Sequence, residues 1–242
     1  MENLLDRRTI APGAIYCVGK NYLEHAREMQ RLEGVVPETL HDNEQEPIIF
    51  MKPPTALETS GVIAMPQFQG RALSTDMHYE AELVLLVGKS TDGCPIEQAS
   101  SHIKGYGIGL DMTLRDVQLA AKKAGNPWLK SKGFRKSALI SDFVPFNHGE
   151  VQPDLELSLE LNGSQVQHAT VSEMLHTPAM LIHYLSYLYG LRSGDLVFTG
   201  TPAGVGRVTS GDTLKAILSL PPNSSSHRRE LVVLQARVVE PS

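Results

Sequence analysis

The stretch from His78 to Lys89, "HYEAELVLLVGK", opens with two acids and then turns almost wholly apolar from Leu83 to Val87. Side chains on a strand alternate faces, so Glu80 and Glu82 share a face at its entrance while the remainder reads as core. Two like charges this close repel, and burial drives one of them toward its neutral form unless a cation intervenes. The pair therefore asks for a positive partner. The ordinary alternative is a solvated strand edge on which both glutamates face water. His78 precedes Glu80 by two residues on the same face, where a supporting role suits a hard-ion site better than ligation.

Other short β-like runs surround this one: 14–19 "AIYCVG", 47–52 "PIIFMK", 105–111 "GYGIGLD", 155–163 "LELSLELNG", 195–200 "DLVFTG", 212–218 "DTLKAIL" and 230–240 "ELVVLQARVVE". Gly, Pro, Asn and Asp punctuate them. Asn162-Gly163 at the centre of "LELSLELNGSQVQHA" predicts a type I′ hairpin. The last two runs read as arms of a terminal hairpin joined by "PPNSSSHRR". Helical spacing is expected over 113–125, with Gly125 just past its end and Pro127 forbidding continuation. A second helix is expected over 178–190, from Pro178 to Gly190, and a short one near Asn21 carrying His25, Glu28 and Met29. Many strands with segregated helices indicate an α+β fold.

The chain has 242 residues, 41% hydrophobic and 20% charged, without low-complexity tracts, which indicates a folded globular unit. Its net charge of −5 and short basic clusters (Lys122-Lys123, Arg228-Arg229) exclude a phosphate-tracking surface, so no nucleic-acid partner is expected. No run has the length to span a bilayer, and the N-terminal "MENLLDRRTIAPG" lacks the apolar core of a signal peptide. A cytoplasmic location is the expectation. Two cysteines, Cys17 and Cys94, exclude a disulfide framework, and Cys17 in an apolar run reads as an inert buried thiol.

A third carboxylate, Asp111, stands where a strand meets a helix in "GYGIGLDMTLRDVQ". Gly105, Gly107 and Gly109 leave one face of that strand bare, so a ligand or another backbone can approach. Asp111 alone would be an ordinary helix N-cap. With Glu80 and Glu82 it makes an oxygen-rich set suited to a hard divalent ion. His25 and Glu28, at i and i+3, share a helix face, where a carboxylate can orient an imidazole and raise its basicity; a solvated surface pair is the alternative. The 198–206 stretch "FTGTPAGVG" lacks P-loop spacing, but its amides and the Thr201 hydroxyl suit a carboxylate.

In order, "GKNYLEHAREM", "FMKPPTAL", "HYEAELVLLVGK", "GYGIGLDMTLRDVQ", "NPWLKSKGF" and "VFTGTPAGVG" resemble the fumarylacetoacetate hydrolase family, in particular its single-domain acylpyruvase and oxaloacetate decarboxylase branch. The resemblance runs from about Ile15 to the final strand. It implies a mixed β-sandwich roll with few peripheral helices, a homodimer, and Mg²⁺ (with Mn²⁺ or Ca²⁺ as alternatives) on Glu80, Glu82 and Asp111. It implies that His25 and Glu28 are a water-activating dyad, that Lys132 rather than Lys130 is the catalytic lysine, and that Arg115, Gln118 and Thr201 contact substrate. The implied layout is an N-terminal arm over 1–12 and a single catalytic domain over 13–242. Two stretches depart from compact relatives: an acidic 30–46 segment, a candidate lid, and the 219–230 loop, for which no function is expected.

The implied substrate is a small 2-oxo acid. The first expectation is a metal-dependent hydrolase that cleaves a carbon–carbon bond in 2,4-dioxo acids through a metal-stabilised pyruvate enolate. The alternatives are an oxaloacetate decarboxylase or tautomerase, or a 2-hydroxyhepta-2,4-diene-1,7-dioate isomerase/decarboxylase. Outside enzymes, the alternative is a metal-stabilised protein that only binds small acids.

Overall fold

The computed structural model describes residues 3–32, 46–146, 149, 151–222 and 229–240. The candidate lid and the tip of the last hairpin fall largely outside them. Two β-sheets face each other across one core. The larger runs, from edge to edge, Ile48–Lys52, Ile15–Gly19, Leu196–Phe198, Ala81–Val87, Ile103–Asp111, Ala138–Ile140 and Leu57–Glu58, with Val144–Pro145 also on Ile103–Asp111. The pairings of Ile15–Gly19 with Leu196–Phe198 and of Ala138–Ile140 with Leu57–Glu58 are parallel and the rest antiparallel, so the sheet is mixed. Ala81–Val87 lies near its middle and every residue of it is buried, which is why it is apolar on both faces.

The second sheet orders Ser164–Thr170, Glu156–Leu161, Thr213–Leu220, Arg229–Val239 and Val62–Ala64. Its inward residues Leu157, Leu159, Leu214, Ala216, Leu218, Val232 and Leu234 meet Leu83, Leu85, Ile108 and Leu110 of the larger sheet. These strands alternate as a sheet wetted on one side must. Asn162 (φ 52°) and Gly163 (φ 82°) both adopt the left-handed conformation, the turn geometry expected of Asn-Gly. The architecture is the expected mixed β-sandwich with few helices.

The helices are α1 (Leu23–Leu32), α2 (Ile96–Ala99), α3 (Arg115–Lys123), α4 (Leu129–Lys132) and α5 (Pro178–Leu188). Thr177 caps α5 through the Met180 amide, and Gly190 and Gly125 follow α5 and α3 at φ 66°. Helix α3 starts two residues later than the spacing predicts. Thr113 and Leu114 instead pair as a strand with His78 and Met77, because the backbone there is claimed by a small third sheet with Gly206–Arg207. Asp111 is accordingly the last residue of its strand and not an N-cap.

The glycine face of Ile103–Asp111 is filled by the protein itself. A Cβ at Gly109 would lie 2.7 Å from the Leu139 carbonyl, the Phe198 ring and Val84 Cγ2, and one at Gly107 would lie 2.8 Å from Ser141 Oγ. Bare glycines thus let neighbouring strands and rings close in under the strand that ends in Asp111.

Candidate active site

Register assembles the acids. Ala81–Val87 pairs antiparallel with Ile103–Asp111 so that Glu82 stands opposite Gly109, and the Asp111 amide donates to the Glu80 carbonyl at 2.8 Å. Glu80, Glu82 and Asp111 are buried, and each offers a carboxylate oxygen within 4.8 Å of the others. Against them stand Arg115, 2.5 Å from Glu80 Oε1, and Lys132, 2.5 Å from Glu80 Oε2 and 2.7 Å from Asp111 Oδ2. Lys52 lies 2.7 Å from Asp111 Oδ1, with both side chains fully buried. It also donates to Ser137 Oγ (2.9 Å), the Met112 carbonyl (3.3 Å) and the Lys132 carbonyl.

The cations divide unevenly over the acids. Burial alone would raise the Glu80 carboxyl, but the charges of Lys132 and Arg115 outweigh it and hold the group well below the usual carboxylate range. Burial likewise works against the Lys132 ammonium, and the charges of Asp111 and Glu80 overcome it and raise its pKa. Glu82 goes the other way. Burial first, then the Asp111 and Glu80 charges, push it well above its ordinary value, and the Gly200 amide at 2.7 Å offsets this only in part. Asp111 Oδ1, buried, accepts no hydrogen bond despite the nearby Lys52. A carboxylate short of positive charge, an oxygen without a donor and an all-oxygen donor set fit a hard divalent cation.

His25 and Glu28 project from α1. His25 Nδ1 is 3.1 Å from Glu28 Oε2, and Glu28 Oε1 accepts from the Gly204 amide at 3.1 Å. Burial raises the Glu28 pKa, but the bonds from His25 and Gly204 outweigh it, so the carboxyl sits below its ordinary value and is ionised near neutrality. An ionised Glu28 keeps the proton on Nδ1 and leaves His25 Nε2 as the acceptor. His25, Glu80, Glu82, Arg115, Lys132 and Thr201 line one pocket with about 380 Å³ of empty space, part of it continuous with solvent. His78 stands outside the carboxylate cluster, with Nε2 3.0 Å from Asp76 Oδ1.

The loop 199–206 ties the two halves together, since Gly200 holds Glu82 and Gly204 holds Glu28. Two buried side chains hold the loop. Asn21 donates to the Thr199 carbonyl (2.7 Å) and the His176 carbonyl (3.0 Å) and accepts from the His176 amide (2.7 Å). Gln167 accepts from the Ala81 amide (3.0 Å) and donates to Thr201 Oγ1 and the Pro202 carbonyl (2.9 Å each). The Thr201 hydroxyl also donates to the Ala81 carbonyl (2.8 Å), so its proton is already committed within the fold. Arg115 and Gln118 are likewise joined, at 2.6 Å.

Nine residues singled out from the sequence, His25, Glu28, Glu80, Glu82, Asp111, Arg115, Gln118, Lys132 and Thr201, converge here, and His78 does not. Lys52 and Gln167 were missed. Their signals were faint: a lysine closing the apolar run "IIFMK", and a glutamine at an inward position of an alternating strand. Cys17 is fully buried, and burial raises its thiol pKa well above the ordinary value, as befits an inert side chain.

A mixed β-sandwich carrying a buried carboxylate triad beside a pocket lined by His25, which is bonded to an ionised Glu28, fits metal-assisted chemistry on a small acid. The chain belongs to the fumarylacetoacetate hydrolase family: the family model "Fumarylacetoacetate (FAA) hydrolase C-terminal" matches residues 14–239. It is 42% identical over 202 residues to an oxaloacetate tautomerase of Escherichia coli, covering 83% of this chain and 85% of that protein. It is 38% identical over 203 residues to a mitochondrial oxaloacetate tautomerase of Homo sapiens, covering 84% and 85%. The fold is similar to a crystal structure of fumarylpyruvate hydrolase from Pseudomonas aeruginosa in complex with Mn²⁺ and pyruvate, with a TM-score of 0.79, 34% identity and coverage of 99% and 96%. The protein is an enzyme of this family, and no helix among the described residues is long and apolar enough to cross a membrane.

Proposed function

We propose that the protein is a divalent-metal-dependent tautomerase of 2-oxo acids, with oxaloacetate as its substrate. The observation that carries this reading is that His25, held by Glu28, lines the same pocket as Glu80 and Glu82 of the carboxylate cluster. Similarity to two oxaloacetate tautomerases supports it. Ketonisation of an enol needs one proton delivered to C3 and one removed from the C2 hydroxyl, and no bond between heavy atoms breaks. Mg²⁺ or Mn²⁺ on the three carboxylates would supply Lewis acidity to the 2-oxo group and its adjacent carboxylate.

The chain's own residues account for the proton. In the keto-to-enol direction His25 Nε2 takes a proton from C3, the C–H pair becomes the C2–C3 double bond, and the carbonyl π pair moves to the C2 oxygen, which takes a proton from water. Glu28 compensates the imidazolium so formed and fixes its orientation. Lys132, kept charged by Asp111 and Glu80, offsets the negative charge that builds on the oxygen.

The expected hydrolysis of 2,4-dioxo acids is the second reading, favoured by the hold of Gly204 and His25 on Glu28, which suits activation of a water as well as a proton at carbon. Enol–keto conversion of oxaloacetate followed by ultraviolet absorbance, beside pyruvate release from acetylpyruvate, each with Mg²⁺, Mn²⁺ and EDTA, tests both. Metal-dependent ketonisation without pyruvate release supports the tautomerase. Pyruvate release alone replaces it with the hydrolase. The homodimer and Mg²⁺ belong to the same proposal and are read by light scattering and metal analysis of the purified protein.

A further inference from the structure

Among the described residues, four that are not glycine hold a left-handed backbone: Lys20 (φ 59°), Gln69 (52°), Lys136 (64°) and Asn162 (52°). Side chains disfavour this conformation, and where one persists the surrounding structure imposes it. Three of the four have a reason within the fold. Asn162 turns a hairpin, tolerates the conformation and bonds Asp212 and Thr213. Gln69 stands beside Gly70 in the exposed turn that joins Gln67–Phe68 to Arg71–Ala72. Lys136 pairs at 2.8 Å with Glu58, whose side chain is buried.

Lys20 has no such reason. Its side chain has no hydrogen-bond or ion-pair partner among the described residues, and it lines the pocket together with His25, Glu80, Glu82 and Thr201. Arg115 and Lys132 of the same lining are already bound to Glu80. The chain on either side clamps the residue: Gly19 pairs with Ile48, the Asn21 side chain bonds Thr199 and His176, and Tyr22 bridges to Met174. Glycine or asparagine would take this backbone at lower cost. A lysine kept there, partly exposed and facing a pocket, has its use outside the protein's own contacts.

We infer that Lys20 is a ligand contact, whose ammonium donates to the carboxylate adjacent to the 2-oxo group of the bound acid. The assignment rests on the 2-oxo acid reading above and adds a binding residue to it. A carboxylate that chelates through one oxygen keeps the other free for a charged hydrogen bond. Oxaloacetate and 2,4-dioxo acids share this carboxylate, so the contact serves tautomerase and hydrolase alike.

Trp128 lines the same pocket and is the sole tryptophan of the sequence, so its fluorescence reports occupancy. The Mg²⁺-loaded protein is titrated with pyruvate, which carries this carboxylate and no second anion, in the wild type and in Lys20→Gly, Lys20→Asn and Lys20→Arg; thermal unfolding of each is followed without ligand. Glycine and asparagine suit the backbone but lack the charge, so both variants are expected to bind pyruvate about tenfold more weakly, the loss of one charged hydrogen bond. Lys20→Gly is expected to melt about 2–4 °C higher as the backbone strain is relieved. Lys20→Arg keeps most of the affinity. Gln69→Gly relieves the same kind of strain away from the pocket, and is expected to raise the melting temperature with pyruvate binding unchanged. Undiminished affinity in Lys20→Gly, no gain in its melting temperature, or a loss as large in Lys20→Arg as in Lys20→Asn overturns the proposal. The expected affinity pattern without turnover of oxaloacetate rejects the tautomerase and leaves the contact standing, whereas turnover with undiminished affinity in Lys20→Gly rejects the contact alone.

Discussion

Replacing Lys52 by methionine tests how the carboxylate centre is held. Lys52 and Asp111 are 2.7 Å apart with both side chains fully buried, and the ammonium also serves Ser137 Oγ and the carbonyls of Met112 and Lys132. Methionine keeps the unbranched stem, so the cavity cost is small and the charge is what is lost. Removing one partner of a buried pair costs about 3–5 kcal/mol. Asp111 keeps Lys132 at 2.7 Å, which places the expected loss near the lower bound, about 3 kcal/mol. The variant also changes the balance at the centre. Glu80, Glu82 and Asp111 face Lys52, Lys132 and Arg115 in the wild type, and one cation fewer in the variant. A divalent ion supplies the missing charge, so the variant gains more from metal than the wild type does. Urea unfolding followed by circular dichroism, in EDTA and in saturating Mg²⁺, reads both effects. The expected result is a loss of about 3 kcal/mol in EDTA that shrinks by at least about 1 kcal/mol in Mg²⁺. A loss under about 1 kcal/mol in EDTA, or an equal loss in both buffers, would refute this account of the charges.

Gln167→Leu strands the Ala81 amide and the Pro202 carbonyl and frees the Thr201 hydroxyl on one side, at a cost of about 2–4 kcal/mol. Because Gln167 holds the loop that orients Glu82 and Glu28, turnover of the proposed substrate oxaloacetate is expected to fall more than metal affinity, which kinetics and metal titration separate. Gly109→Ala drives a Cβ to 2.7 Å from three neighbours beneath the triad, and thermal unfolding is expected to register about 1–3 kcal/mol of overpacking. For Asp116, burial raises the pKa, but bonds from Ser74, Thr75 and Val117 outweigh it and hold the carboxyl below its ordinary 3.8. A depressed folded value means stability present above 3.8 and lost as pH falls through the folded value, so an Asp116→Asn deficit at pH 7, about 0.5 kcal/mol once solvent screening of this partly exposed group is counted, should close below pH 3.8. A deficit that persists unchanged in acid points to shape and not to charge.

Local pattern carried a large part of the architecture. Alternation in "LELSLEL" and the apolar run Leu83–Val87 declared an exposed-faced strand and a doubly covered one, and Asn162-Gly163 declared the turn, because strand periodicity and left-handed backbone preference act within a few residues. The acids Glu80, Glu82 and Asp111 and the pair His25 and Glu28 were visible for the same reason, being spaced at i+2 and i+3 or set beside a strand end. Only the tertiary structure decided how these pieces are held. The antiparallel register puts Glu82 opposite Gly109 and brings Asp111 to Glu80, and the amides of the 199–206 loop reach Glu82 and Glu28 across more than a hundred residues of chain. Lys52 and Gln167 left almost no trace in the sequence, since a buried cation or amide is specified by partners that no local spacing reveals. Residues proposed to bear the chemistry sit in short motifs, whereas the balance of charge and hydrogen bonds around them is a property of strands meeting in space.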